Sequence, residues 1–177
     1  MPNTPEALVF DTGPLSHIAR QNWRGALRFI VGQRCATIPD VVVTELRAGL
    51  SRYPYLSMVL DASWLVQHSL TSPEELDAFA TFSSLLVARD RNWGEVGVLA
   101  YAKVHGATAI IDDGPARNAA RRHGIPCRGT LGLVCDAVNQ GHITLSMASA
   151  LADDLLEGEY RLPFTRVSLC AGPRTRA

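Results

Sequence analysis

Short, uninterrupted apolar runs alternate along the chain with longer segments in which apolar residues recur every three or four positions. The short runs have the length of buried strands, and the longer segments have the spacing of amphipathic helices. Strands are predicted over residues 7–10, 35–39, 64–68, 107–111 and 125–129. Helices are predicted from Gly13 to residue 31 and over residues 41–50, 74–88, 92–106, 114–124, 130–141 and 145–158. This alternation predicts an α/β fold, a three-layer α/β/α sandwich around a largely parallel sheet.

Several of the predicted helices have local signals at their ends. Ser72 and Glu75 have the spacing of a capping box, and Asp40 can cap the helix over residues 41–50. Gly106 and Gly124 follow two of the later helices and are typical helix stops. In the helix over residues 92–106, the period predicts one apolar face, formed by Val96, Leu99, Ala100 and Val104.

The composition fits one folded domain. The chain has 177 residues, 47% of them hydrophobic and 19% charged, which is enough to bury a core. We expect a single domain over residues 1–163 and a loose tail over residues 164–177. Seventeen basic residues balance seventeen acidic residues, so the net charge gives no argument for a nucleic-acid partner.

Other bulk features favour a cytoplasmic location. No apolar run approaches the roughly 20 residues that a membrane span needs. The first ten residues lack the basic segment of a secretion signal. None of the four cysteines forms a CxxC pair, and we expect them to be small buried side chains, as free cysteines usually are.

Acidic residues stand directly after two of the predicted strands. Asp11 ends the first strand, and Asp112 and Asp113 end the strand over residues 107–111. Ligand sites in parallel α/β sheets lie beyond the carboxyl ends of the strands, so these carboxylates share one crevice if their strands are neighbours. The triplet Asp-Thr-Gly at residues 11–13 also resembles an aspartic protease signature. That class is all-β with a second triplet or a dimeric chain, which the helix-rich pattern does not fit.

Two further acids lie beside apolar helix faces. Glu45 comes three residues after Val42, on a helix whose core stripe continues through Leu46. Glu95 lies in the first turn of its helix, four residues before Leu99. A carboxylate held close to a core is costly unless it is paired or binds a metal. Because hard divalent cations need several oxygen ligands at one point, the acids together indicate a metal site.

Four segments together resemble the PIN-domain ribonucleases. They are VFDTGPLSHIAR, PDVVVTEL, GEVGVLAYAKVHGATAIIDDGPARNAARRHGI and GTLGLV. The likeness covers roughly residues 7–156 and is greatest to the VapC-like branch, the toxins of type II toxin–antitoxin pairs. The resemblance implies a parallel-sheet α/β/α fold, an acidic cluster that binds Mg²⁺ or Mn²⁺, and the hydrolysis of RNA phosphodiester bonds.

The resemblance also assigns catalytic and metal-binding roles to individual acids. Asp11 matches the first Asp of the family, Glu45 the Glu of its next helix, and Glu95 the acidic residue that opens a later helix. The last acid of the pattern falls on Asp112 or Asp113. Both residues remain candidates for direct contact with the metal.

Three residues are predicted to contact the RNA. Thr12 matches the small hydroxyl residue that commonly follows the first Asp of the family. Arg117 and Arg121 lie four positions apart on the helix that follows Asp113. Arginine is well suited to bidentate contact with phosphate, so these side chains are expected to border the site.

The expected partners are RNA, a cognate antitoxin and a second copy of the chain, all by resemblance. The segment over residues 50–60, LSRYPYLSMVL, is rich in aromatic residues and Met, which are enriched at interface cores. It is the predicted antitoxin-docking surface, with packing under the next helix as the alternative.

Two functional alternatives remain open. The chain can be a non-catalytic PIN-fold module that binds RNA or an antitoxin, or a DNA-directed nuclease with the same metal site. A haloacid-dehalogenase phosphatase requires a second Asp two residues after Asp11, and Gly13 stands there instead.

Overall fold

The fold is built on one parallel sheet. The computed structural model describes residues 6–20, 23–87 and 92–157. Within these residues, five strands lie in the order β3-β2-β1-β4-β5, and all neighbouring pairs are parallel. The strands are β1 (Ala7–Phe10), β2 (Cys35–Pro39), β3 (Leu65–His68), β4 (Thr108–Ile110) and β5 (Cys127–Arg128). The five predicted strands are confirmed.

Nine α-helices and one 3₁₀ turn, Pro54–Leu56, occur within the described ranges. The helices are α1 (Thr12–Arg20), α2 (Arg24–Val31), α3 (Asp40–Gly49), α4 (Ser57–Leu60), α5 (Pro73–Leu86), α6 (Trp93–His105), α7 (Gly114–Arg122), α8 (Thr130–Asn139) and α9 (Leu145–Glu157). The single helix predicted between Gly13 and residue 31 is two separate helices. The segment over residues 50–60, which had no predicted element, contains the 3₁₀ turn and α4.

Helices cover both faces of the sheet, so the predicted three-layer α/β/α sandwich is confirmed. Helix α6 contacts β1, β2 and β4 and packs against α3, α5 and α7. Helices α1, α2, α8 and α9 contact one another in series. The central strand β1 is apolar along its length because it is covered on both faces, and Leu8, Val9 and Phe10 are buried.

The capping box predicted at the start of α5 is present. The Ser72 hydroxyl accepts a hydrogen bond from the Glu75 amide at 3.2 Å. The Glu75 carboxylate accepts one from the Ser72 amide at 2.9 Å. The two residues thereby satisfy backbone donors that the helix itself leaves unpaired.

Two predictions about burial are wrong. Val104 is 37% exposed, although it was assigned to the single apolar face of α6. Val104 lies in the last turn of α6, and this turn is exposed as a whole from Lys103 to Gly106. The three cysteines among the described residues are not buried: Cys35 and Cys135 are exposed and Cys127 is half-buried, while Cys170 lies outside the described residues. Cys35 lies at the exposed start of β2, and Cys135 lies on the side of α8 that faces solvent.

Neither the predicted tail nor a membrane segment appears in the described part of the chain. Residues 164–177 lie outside the described residues. Among the helices that the structure describes, none combines the length and the apolar character that crossing a bilayer requires.

Gly97 allows the close packing of α6 against the elements around β2. A Cβ atom at this position would overlap Val41 Cγ2 and lie 3.4 Å from Pro39 Cβ. We expect Gly97→Ala to lower the free energy of unfolding by about 1–3 kcal/mol, even though alanine is the better helix former. Gly25→Ala is the matched control, because nothing lies within 4 Å of a Cβ at Gly25 in α2. Urea unfolding curves measure both effects, and equal stability of the two variants would contradict the packing argument.

Candidate functional site

The acids predicted at the strand ends share one edge of the sheet. β1 and β4 are hydrogen-bonded neighbours, with Phe10 opposite Ile110. The Asp11 amide continues this pairing by donating to the Ile110 carbonyl at 3.1 Å. Asp112 and Asp113 follow β4 closely. Because β1 and β4 are adjacent strands, the acids that follow them can share one crevice.

Glu45 joins three elements at this edge. It lies in α3, which begins directly after β2. Its Oε2 accepts a hydrogen bond from the Thr12 hydroxyl at 2.6 Å, and its Oε1 accepts one from the Gly94 amide at 2.9 Å. Because Thr12 begins α1 and Gly94 lies in the first turn of α6, the Glu45 carboxylate is held beside Asp11. The contact gives Thr12 a positioning role, and its contact with RNA stays a prediction.

Because Gly94 has no side chain, two carboxylates can lie against its backbone. A Cβ atom at Gly94 would lie 2.6 Å from Glu45 Oε2 and 2.8 Å from Asp11 Oδ1. Oxygens of both acids therefore lie against the same point of the backbone. Asp11 is 6% exposed, and its Oδ1 is buried with no hydrogen-bond partner among the described residues. A buried oxygen in this state is costly, and a bound cation would supply the missing partner.

Burial and mutual repulsion raise the pKa of two acids in the group. Burial, and then repulsion by Glu95 and Glu45, raises the pKa of Asp11 well above its ordinary value, although two backbone amides oppose this. Burial raises the pKa of Glu95 as well, and repulsion by Glu45 and Asp113 adds to it. These effects place Asp11, Glu45 and Glu95 within electrostatic reach of one another, and Asp113 within reach of Glu95. A divalent cation is the natural counter-charge for such a group.

The two adjacent acids after β4 have different surroundings. Asp112 accepts hydrogen bonds from Thr130 at both oxygens, from the amide at 2.8 Å and from the hydroxyl at 2.6 Å. Asp113 caps α7, because its Oδ2 accepts a hydrogen bond from the Ala116 amide at 2.9 Å. Asp113 also raises the pKa of Glu95. Asp113 thus acts on the acidic group, whereas Asp112 holds the start of α8.

The predicted arginines lie on α7, Arg117 near Asp112 and Arg121 in the last turn of the helix. A Cβ atom at Gly129 would lie 3.0 Å from Asp112 Oδ1 and 3.6 Å from a terminal nitrogen of Arg117. The half-buried Arg117 guanidinium therefore lies near Asp112. Arg121 is exposed and donates a hydrogen bond to the Asn118 side chain. Both guanidinium groups are on the helix that Asp113 caps.

The segment over residues 50–60 is neither fully buried nor fully exposed. Tyr53 is 37% exposed, whereas Leu56 and Val59 are buried. Tyr55 and Met58 are half-buried. Part of the segment thus packs into the core, and part of it remains at the surface. Met58 lies in a surface pocket with Ile18, Ala19, Leu27, Val59, Ala62 and Trp64.

Sequence reasoning missed the backbone contacts that hold the acids and one cluster elsewhere. The Gly94 amide and Thr130 bind carboxylates from distant parts of the chain, and no local pattern marks such contacts. The missed cluster is His68, Glu75 and His105, whose ligand atoms lie within 4.8 Å of one another. Sequence reasoning had assigned Glu75 to a capping box alone. A weak signal exists in the sequence: Glu75 of the capping box comes seven residues after His68, which ends a predicted strand.

A family model described as a PIN domain matches residues 7–169, which is most of the chain. No curated protein matches the chain.

Proposed function

The chain belongs to the PIN-domain family, and from this premise we propose that it is a Mg²⁺- or Mn²⁺-dependent endoribonuclease. PIN domains are generally nucleases that use divalent metals. The observation that carries the proposal is the convergence of Asp11 and Glu45 at the carboxyl edge of the sheet, with Glu95 and Asp113 within electrostatic reach of this group. We further propose that the protein is the toxin of a toxin–antitoxin pair and acts in the cytoplasm, which rests on the resemblance of its motifs to the VapC-like branch.

The donor set fits a hard divalent cation. Mg²⁺ and Mn²⁺ prefer oxygen ligands, and this edge offers carboxylate oxygens. Asp11 Oδ1 is buried and unpaired among the described residues, which suits a metal ligand. The residues that would hold the ion are Asp11, Glu45, Glu95 and Asp113. Asp112 stays an alternative to Asp113 as the fourth acidic ligand. When bound, such an ion polarises the phosphodiester and lowers the pKa of a water molecule.

The chain's own groups position the reactants. Thr12 and Gly94 orient Glu45 through two hydrogen bonds, so its carboxylate needs no rearrangement before the reaction. We propose that Arg117, whose guanidinium lies near Asp112, pairs with a phosphate of the RNA backbone. Arg121, one turn further along α7, extends the same basic surface. The acids repel a polyanion without a counter-charge, so productive RNA binding requires the metal.

A cleavage assay tests the reaction and the substrate class together. The full chain is incubated with single-stranded RNA and with DNA of the same sequence, in Mg²⁺, in Mn²⁺ and in EDTA. We expect cleavage of RNA with either ion, none in EDTA and little of DNA. Binding of RNA without cleavage in either ion would favour the non-catalytic module. Cleavage confined to DNA would favour the DNA-directed alternative.

A thermal melt tests the shared metal site without any substrate. An ion that binds only the folded chain stabilises it by mass action, by about 2.7 kcal/mol at 100 times its Kd. For a chain of this size, that corresponds to a rise in Tm of about 5–10 °C. We expect Mg²⁺ or Mn²⁺ to produce such a rise in the wild type and in Asp77→Asn, an exposed control acid on α5. The rise should be absent in Glu45→Gln. An unchanged Tm in the wild type, or the same rise in Glu45→Gln, would argue against one shared site.

The antitoxin and the homodimer remain proposals. The exposed part of the segment over residues 50–60, with Tyr53 at 37% exposure and Met58 in its pocket, supports a docking surface for a partner. Its aromatic and Met content is of the kind enriched at interface cores. The buried part of the segment supports the packing alternative equally well.

A further inference from the structure

Two histidines meet one carboxylate oxygen at the far end of α6 from the acidic group. His68 is the last residue of β3, Glu75 lies in the first turn of α5, and His105 is the last residue of α6. Glu75 Oε1 lies 2.6 Å from His68 Nε2 and 2.8 Å from His105 Nε2. His105 lies ten positions after Glu95 in α6, which is about 15 Å along a helix. The cluster is therefore separate from the acidic edge.

The Glu75 carboxylate is fixed before anything binds to it. Its Oε2 accepts hydrogen bonds from the amides of Thr71 and Ser72, each at 2.9 Å. The side chain is only 3% exposed. Burial alone would raise its pKa, but hydrogen bonds from His105, Ser72, His68 and Thr71 outweigh burial and lower the pKa of Glu75. The group is thus a buried anion, with one oxygen held by backbone amides and the other facing the two imidazole rings.

The two imidazole rings are also held in place. Tyr101 packs against both, with ring centroids 5.0 Å from His68 and 4.3 Å from His105. The two histidine rings meet nearly edge to face, at 5.4 Å. Their side chains are 33% and 39% exposed. The rings therefore direct both Nε2 atoms at Glu75 and leave an approach from solvent.

We propose that His68, Glu75 and His105 form a site for a transition-metal ion of the zinc class, separate from the acidic metal site. Two imidazole nitrogens and one carboxylate oxygen are a recurrent zinc ligand set, with a solvent molecule as the fourth ligand. Mg²⁺ is excluded by the same chemistry, because it prefers oxygen ligands. Zinc binds the neutral imidazole through Nε2, with the ring proton on Nδ1. A ring that is protonated at both nitrogens therefore releases its Nε2 proton to solvent, and a neutral ring takes the Nδ1–H tautomer.

The exposed sides of the two imidazole rings leave room for the small movement that zinc binding requires. Ligand atoms around a tetrahedral zinc lie about 3.3 Å apart, as follows from bond lengths of about 2.0–2.1 Å. The present separations are shorter, so both rings have to move back by about half an ångström. Their exposed sides permit this movement. The bound ion would connect the end of β3 with the start of α5 and the end of α6, and so stabilise the packing of these three elements.

Metal titration of the full chain tests the site. The protein is stripped with EDTA, dialysed, and titrated with Zn²⁺ by calorimetry and with Co²⁺ by visible absorption. We expect about one zinc ion per chain at this site, with affinity lowered about 10- to 100-fold or more in His68→Gln and in His105→Gln. His123→Gln, a histidine variant outside the cluster, and Asp11→Asn, a variant of the acidic group, should both retain that ion. A zinc ion that is lost in Asp11→Asn and kept in both cluster variants would overturn the proposal, as would the absence of zinc binding.

A second measurement needs no variant and so does not depend on how the variants fold. Nitrogen chemical shifts of the histidine rings are recorded in the wild type before and after one equivalent of Zn²⁺. The Nε2 signals of His68 and His105 should move together, whereas the signals of His123 should not. Unmoved signals at His68 and His105 would show that the cluster is a hydrogen-bonded contact alone. Since neither measurement uses RNA, the zinc site and the nuclease proposal stand or fall separately.

Discussion

Asp11→Asn is expected to lower the rate of RNA cleavage by at least about a thousandfold while the chain stays folded. Asp11 Oδ1 is buried and has no hydrogen-bond partner among the described residues. Replacing the carboxylate by the neutral asparagine amide removes a negative charge that a bound ion requires. Loss of metal-based charge stabilisation amounts to several kcal/mol, and each factor of ten in rate corresponds to about 1.4 kcal/mol. Single-turnover cleavage of a labelled RNA measures the effect.

The same substitution is expected to stabilise the metal-free protein. Asparagine has nearly the shape of aspartate, and it removes the repulsion that Glu95 and Glu45 exert on Asp11. In EDTA, the Tm of Asp11→Asn should therefore equal or exceed that of the wild type. Asp77→Asn, on an exposed position of α5, should change neither the Tm nor the cleavage rate. A folded Asp11→Asn protein that cleaves at the wild-type rate would remove Asp11 from the site.

Gly94→Ala is expected to abolish most of the activity without removing any charged group. Its Cβ would lie 2.6 Å from Glu45 Oε2 and 2.8 Å from Asp11 Oδ1, distances that force both carboxylates to move. Displacement of catalytic groups by about 1 Å costs about a hundredfold in rate. We also expect weaker Mg²⁺ binding, measured as a smaller rise in Tm at a fixed ion concentration.

Gly25→Ala is the matched control for this substitution. Gly25 and Gly94 are each the second residue of a helix, but a Cβ at Gly25 meets nothing within 4 Å. The control should retain full activity and gain up to about 1 kcal/mol of stability from helix propensity. Equal activity of Gly94→Ala and Gly25→Ala would mean that Asp11 and Glu45 do not act from one point.

The residues that end the strands and begin the helices were accessible to sequence reasoning because short-range interactions decide them. The apolar run of β1 and the capping box of Ser72 and Glu75 depend on residues a few positions apart. The places of Asp11, directly after β1, and of Asp113, at the start of α7, follow from the same local pattern. Burial was harder to predict, as Val104 and the exposed cysteines show, because it depends on elements that pack from elsewhere in the chain.

The convergence of the acids was decided by the tertiary structure. The hydrophobic pattern predicts β1 and β4 separately, but their adjacency follows from the strand order, which the pattern does not contain. Gly94 holds Glu45 across a separation of 49 residues, and His105 meets Glu75 across 30. Such contacts form only when the whole sheet and its helices pack together. The sequence by itself therefore determined which carboxylates stand at the ends of elements, and the packing decided which of them share a site.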